Sequence, residues 1–179
     1  QLLKEYNYGC LEQTASKLRA LLYEEQLRKF LNQDFNESAQ IRSLIRKLNK
    51  LKNKDNLWGW WQNNPTNFNM SLYVLKVFSE AKQLGYSVGD LEESFQNLKN
   101  VNSSSSISYK LELLELEHIL GIKKDSITLS FLNEDFNNLN LMDLIRLAKI
   151  RHINNIEFDD KIIFDKLKYD QYQLPYLTE

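Results

Sequence analysis

An all-α chain of antiparallel helical hairpins is what this sequence predicts, and three observations point there. Only five Gly and two Pro punctuate 179 residues. Breakers are therefore scarce, while Leu, Lys and Glu, which suit helices, are abundant. Apolar residues recur at i, i+3, i+4 and i+7 in several windows, the mark of a helix with one buried face. No stretch alternates with the period of two that a half-buried strand needs. Short polar runs join consecutive stripes, as hairpins require, and no fixed-period repeat speaks for a solenoid. The length suits one domain over 1–179, or a fragment of one.

The elements follow in order. A first helix is predicted from Glu12 to Leu31, with Leu18, Leu21, Leu22 and Leu27 on one face. Ser38 can cap a second, in which Ile41, Leu44, Ile45, Leu48 and Leu51 form a clean stripe. The stretch Lys52 to Asn69 reads as a loop, rich in Asn and holding Pro65 and Trp58-Gly59-Trp60-Trp61. Asn69 then caps a third helix, where Met70, Tyr73, Val74, Val77, Phe78, Ala81 and Leu84 mark the buried side and Gly85 the end. Shorter helices are predicted over 89–99, 106–120, 125–136 and 139–152, with Ser103 to Ser106 as a polar hinge. Beyond Asn154 the pattern weakens, and Lys161 to Leu167 reads as one last turn or two.

Composition removes several function classes. A net charge of −1 argues against a nucleic-acid partner or an anionic membrane surface. No apolar run is long enough to span a bilayer. A single cysteine excludes an internal disulfide framework and a Cys-rich metal site. There is no Walker-type loop, no Gly-x-Gly-x-x-Gly and no His-Glu-x-x-His, so no cofactor or metal is implied. Glu92-Glu93 and Asp159-Asp160 are adjacent rather than opposed, and Glu112, Glu115 and Glu117 read as the solvated side of a helix. The start at Gln1 reads as a piece of something longer.

The tetrad Cys10-Leu11-Glu12-Gln13 is the motif with chemistry in it. It holds the chain's one cysteine, right after Gly9 and three residues before Gln13, where the first helix begins. Side chains three apart on a helix are neighbours. The Cys10 thiolate can attack the Gln13 side-chain carbonyl, expel ammonia and leave an internal thioester, an acyl group stored for transfer. Gly9 lets the chain turn sharply there. The unpaired amides and positive end of a helix N-terminus favour a thiolate and would stabilise the oxyanion formed on attack. The plain alternative is a cysteine that only starts a helix.

The longer run Tyr6-Asn7-Tyr8-Gly9-Cys10-Leu11-Glu12-Gln13-Thr14-Ala15-Ser16 resembles the thioester site of the alpha-2-macroglobulin and complement superfamily, its bacterial members in particular. Tyr8, Gly9 and Glu12 belong to the part that matches. A second segment, Trp58-Gly59-Trp60-Trp61 followed by Met70-Ser71-Leu72-Tyr73-Val74-Leu75, is similar to the aromatic loop and following helix of that superfamily. Asn7 stands where many members have proline, and the glycine-rich lead-in to the loop is reduced to Lys54-Asp55-Asn56-Leu57. The resemblance implies an α/α toroid of helical hairpins, incomplete or shortened here at about eight helices. It also implies a macroglobulin-like protease trap in the cell envelope, periplasm or extracellular space. Its partners would be proteases captured covalently through a lysine amine and neighbouring macroglobulin-like domains.

A thioester hydrolyses unless it is covered. Tyr6, Tyr8, Trp58, Trp60, Trp61 and Tyr73 are candidates for shielding it, although ordinary core is the plainer role for each. Three tryptophans in four residues of a polar loop also suggest a surface that docks on another domain. In this superfamily a loop histidine permits transfer to hydroxyls, and members without it favour amines. Here His118 reads as a partly buried structural residue on a stripe with Leu111 and Leu114, and His152 as a helix-end cation. Direct aminolysis is therefore predicted. It would occur once per molecule, so the chain is not read as an enzyme. Two other readings remain: a binding module of the same fold without the bond, and a helical-toroid enzyme, either with Cys10 as nucleophile or related to terpene cyclases. The last lacks a histidine beside the cysteine and an Asp-rich acid motif.

Overall fold

The structure, a computed structural model, describes residues 10–101, 106–122 and 139–173. Every regular element among the described residues is a helix, so the fold class is all-α. In chain order these are α1 (Leu11–Phe30), α2 (Ser38–Lys50), α3 (Phe68–Gln83), α4 (Leu91–Val101), α5 (Ile107–Ile119), α6 (Leu141–Ile153) and α7 (Lys161–Gln173). The helix predicted over 125–136 lies outside the described residues. The chain divides into two compact units, Gln1–Ser104 and Ser105–Glu179.

In the N-terminal unit α1 packs on α2 and α3, and α3 on α4. The stripes close on one another: Leu18 and Leu22 from α1, Ile41 and Leu48 from α2, Val74, Leu75 and Phe78 from α3, Phe95 and Leu98 from α4 are all buried. Trp58 fills the centre, its ring edge-on to Phe78 at 5.7 Å and 86°. The predicted α1 stripe stops short, because Leu27 and Phe30 are exposed. Chain reversal after α3 uses Gly85 at φ +88°, a conformation that suits glycine. There Tyr86 N–H donates to Ala81 O at 3.0 Å, closing the helix in a Schellman-type turn. The cap of α3 is Asn67, not Asn69: its side chain accepts from Met70 N–H at 2.9 Å, so the helix begins at Phe68. Both positions are asparagines, and sequence alone does not separate them.

The C-terminal unit packs α5 on α6 and α6 on α7. Its core is Leu111, Leu114, Leu139, Leu144, Leu147 and Ile150, with Ile156, Phe158 and Ile163 against it. Three expectations change here. His118 is exposed, while Glu117 beside it is 2% exposed. Glu112 and Glu115 are not merely solvated: they pair with Arg146 at 2.9 Å and Lys149 at 2.7 Å, joining α5 to α6. The last segment is a helix of 13 residues rather than a turn or two, with Asp159 Oδ1 accepting from Lys161 N–H at its start. Buried Asp143 anchors the unit's polar side. Its carboxylate accepts from the Asn140 side chain at 2.6 Å, the Ser108 hydroxyl at 2.5 Å and Arg146 at 3.2 Å.

Candidate functional site

The first turn of α1 is held in place by the loop between α2 and α3, and that loop is organised by one side chain. The Asn53 amide donates to Thr66 Oγ1 at 2.8 Å, while its carbonyl oxygen accepts from Asp55 N–H at 3.0 Å and Leu57 N–H at 3.2 Å. Thr66 in turn donates to Asp55 Oδ2 at 2.8 Å. The chain is thereby bent so that Trp58 enters the core. Ser71 on α3, fully buried, accepts from Trp58 N–H at 3.0 Å and donates to Trp58 O at 2.9 Å. The Trp58 indole N–H reaches Leu48 O at 2.8 Å, so no buried donor is left unmade. Lys52 lies across the same ring, its ammonium 5.0 Å from the centroid and 2.8 Å from Ser94 Oγ. Burial pushes the Lys52 pKa down, and the carboxylates of Glu93 and Asp90 only partly oppose it.

Gly59 is the close approach that lets the loop turn outward. A Cβ at this position would stand 2.5 Å from Pro65 O and 2.8 Å from Asn64 Cβ. The following Trp60 offers its carbonyl to Leu11 N–H at 3.4 Å, joining the aromatic loop to the first residue of α1. The three tryptophans therefore separate. Trp58 is 0% exposed and belongs to the core, so it is not part of a docking surface, whereas Trp60 and Trp61 are 48% and 57% exposed.

Cys10 is the N-cap of α1. It has extended backbone angles, φ −67° and ψ 152°, and its Sγ accepts from Gln13 N–H at 3.4 Å. Sulfur here does what a serine or aspartate oxygen does at most caps. Thr14 supports the turn, its hydroxyl donating to Cys10 O at 3.2 Å. Cys10 is half-buried, and Glu12 and Gln13 are exposed. Gly9, Tyr8 and Tyr6 lie outside the described residues.

A cleft of about 380 Å³ opens beside this turn, lined by Glu12, Ser16, Trp60, Asn69, Met70 and Tyr73. Tyr73 is half-buried, and its hydroxyl meets Ser16 Oγ at 3.1 Å. Behind it, the Arg19 guanidinium stands 5.8 Å from the Tyr73 ring and grips both Glu80 oxygens at 2.7 and 3.1 Å. Partial burial works against the Arg19 charge, but the contacts with Glu80, and after them Tyr23, outweigh it and raise the pKa. The structure thus brings Glu12, Trp60 and Tyr73 of the sequence-predicted set around one cleft, and places Trp58 elsewhere. Sequence reasoning missed Ser16, Asn69, Asn53 and Ser71. The last two act across ten or more positions, and no local pattern signals them. His152 ends α6, exposed, as predicted. Among the described residues no group of His, Cys, Asp and Glu could hold a metal ion. Among them, too, no helix is long and apolar enough to cross a membrane.

No protein-family model matches the sequence, and the comparison with curated proteins found no match. Among solved structures, the chain is similar to alpha-2-macroglobulin of E. coli in its native conformation, determined by cryo-EM. The TM-score is 0.71 at 18% identity, over 93% of this chain and 12% of that one. A crystal structure of native alpha-2-macroglobulin from Escherichia coli, running from domain MG7 to the C-terminus, aligns with a TM-score of 0.49. Identity there is 16%, over 97% of this chain and 37% of that one. The first likeness shows a shared fold, carried by a small share of a much longer protein.

Proposed function

We propose that the chain is all or part of the thioester domain of a macroglobulin-like protease trap. The observation that carries this reading is the cap of α1, where Cys10 Sγ accepts from the backbone N–H of Gln13 in a fold shared with E. coli alpha-2-macroglobulin. In the proposed chemistry the Cys10 sulfur attacks the Gln13 side-chain carbonyl carbon, the carbon–nitrogen bond breaks, and the thiol's proton leaves with the nitrogen as ammonia, storing the acyl group on sulfur. A lysine amine of an attacking protease later adds to the same carbon, and the carbon–sulfur bond breaks. The products are an amide at Gln13 and a thiol at Cys10, which keeps the proton released by the amine. Leu11 N–H and Gln13 N–H are already engaged by Trp60 O and Cys10 Sγ, so it is the positive end of the α1 dipole that favours the oxyanion in both steps. Because the acyl group is not regenerated, the domain acts once and is not an enzyme.

Both units, 1–179, are read as one domain or a fragment of one, in a parent of the cell envelope, periplasm or extracellular space. Gln13 is exposed and Cys10 half-buried, so the described residues alone leave the bond open to water. Trp60 and Tyr73 offer partial cover, and neighbouring macroglobulin-like domains would supply the rest. Transfer is proposed to occur by direct aminolysis, without a histidine. The same exposure favours a second reading, in which the domain keeps the fold and binds partners through Trp60 and Trp61 without the bond.

Intact mass before and after methylamine, with thiol titration alongside, decides between them. The first reading expects a mass short by one ammonia, a gain of one methylamine on treatment, and a new titratable thiol at Cys10. A full-mass chain with a free thiol from the start leaves the second.

A further inference from the structure

We propose that the cleft beside the first turn of α1 is a docking site for an alkylammonium side chain, that of lysine. Its lining divides into the parts such a side chain needs. Glu12 supplies an exposed carboxylate, and no ion pair or hydrogen bond engages it among the described residues. Trp60 and Tyr73 supply aromatic surface, which attracts a cation through the ring quadrupole and also packs methylenes. Met70, 4% exposed, gives an adaptable apolar floor for the four-carbon stem. Ser16 and Asn69 add oxygens that can accept from an ammonium.

Arg19, whose guanidinium stands over the Tyr73 ring, is held 2.7 Å from Glu80 rather than engaging Glu12. An unengaged carboxylate beside aromatic surface selects cations over anions and neutral hydroxyls. The cleft's volume of about 380 Å³ falls at the small end of ordinary ligand sites, about 300–1,000 Å³. The Trp60 carbonyl on Leu11 N–H fixes one wall of the cleft to the turn that carries Cys10 and Gln13. That the docked lysine is the amine that attacks the thioester rests on the proposed function. That the cleft binds a lysine side chain does not.

The experiment therefore has two arms. In the first, the full chain carrying Cys10→Ala, which cannot be acylated, is titrated with Nα-acetyl-lysine amide while the Trp60 indole N–H is followed by NMR. Nα,Nε-diacetyl-lysine amide, which keeps the stem and removes the charge, is the comparison. The charged ligand is expected to shift the Trp60 signal saturably and to bind at least about threefold more tightly, a preference that Glu12→Gln removes. Equal binding of the two ligands, or no response at Trp60, overturns the proposal.

In the second arm, the native chain is treated with methylamine and with Nα-acetyl-lysine amide while thiol release is timed. Saturation with the lysine derivative, and a half-saturating concentration raised about threefold by Glu12→Gln, supports the site. A rate strictly linear in lysine derivative and unchanged by Glu12→Gln counts against it. No thiol release with either amine means that the thioester reading has failed, and the NMR arm then judges the cleft by itself.

Discussion

The two units are stabilised by different means. The N-terminal unit is built around Trp58 and Phe78, ringed by aliphatic side chains from four helices and tied down by the Asn53 and Ser71 hydrogen bonds. The C-terminal unit has a core of leucines and one isoleucine, and holds α5 to α6 with Asp143, Arg146, Glu112, Lys149 and Glu115. Dense apolar packing around a satisfied loop gives one sharply defined arrangement. Charged contacts at a partly solvated seam are screened and contribute less. The turn that carries Cys10 and Gln13 sits on the first kind of scaffold, where Leu11 and Trp60 are joined through the backbone.

The largest effect expected from breaking this contrast is at Trp58. Trp58→Ala removes a fully buried ring and its hydrogen bond to Leu48 O, which keeps only its bond from Leu51 N–H. A loss of about 3–5 kcal/mol is expected. Hydrogen exchange resolved by helix should show α1 to α4 losing protection while α5 and α6 keep theirs. Equal loss in all of them would mean one cooperative block and would end the contrast. Asp143→Ala is the mirror experiment. It unmakes a buried carboxylate that serves Ser108, Asn140 and Arg146, for about 2–4 kcal/mol. Protection should fall in α5 and α6 and hold in α1 to α4.

Asn53→Ala tests whether the loop is a scaffold or a passenger. It deletes contacts to Thr66, Asp55 and Leu57 without touching the core. The expected cost is about 1–3 kcal/mol. Trp60 and Trp61 should also become more mobile, read as lower fluorescence anisotropy. Unchanged anisotropy would show that Gly59 and the Leu11–Trp60 bond hold the loop unaided.

The contrast also explains what the sequence made legible. Helices α1 to α6 were visible because each carries a stripe at helical spacing and a polar break at its ends. Cys10 as the start of α1 was visible for the same reason. The fate of the tryptophans was not: an irregular loop has no period, and Trp58 goes inward because Ser71, thirteen residues on, brackets its backbone. In α5 the difficulty was different. Leucines at 111, 113, 114 and 116 nearly encircle the helix, so the buried side is chosen by α6, and it takes Glu117 rather than His118. Helix α7 was underestimated because Ile162, Phe164 and Leu167 are exposed and, among its described side chains, Ile163 alone is a hydrophobic one packed on the core.

The smallest effect is the most specific to the aromatic unit. Burial under the Trp58 ring holds the Lys52 pKa below 10.5, the ordinary lysine value, and Glu93 and Asp90 only partly restore it. The unfolded chain keeps that proton up to the ordinary value. Between the folded and unfolded values the unfolded state therefore binds more protons, and stability rises with pH through that window. Below the folded value both states are protonated and Lys52 contributes no slope. Tyr86 acts with the opposite sign: burial raises its pKa above 10.0, the folded state keeps the proton longer, and stability falls as pH climbs past that value. Lys52→Met isolates the first effect, because Tyr86 is common to both proteins. The urea midpoint of the native chain should climb toward 10.5 more steeply than that of the variant, with the two curves parallel at neutral pH. Parallel curves at every pH would show that the Lys52 ammonium reaches water in spite of the ring above it.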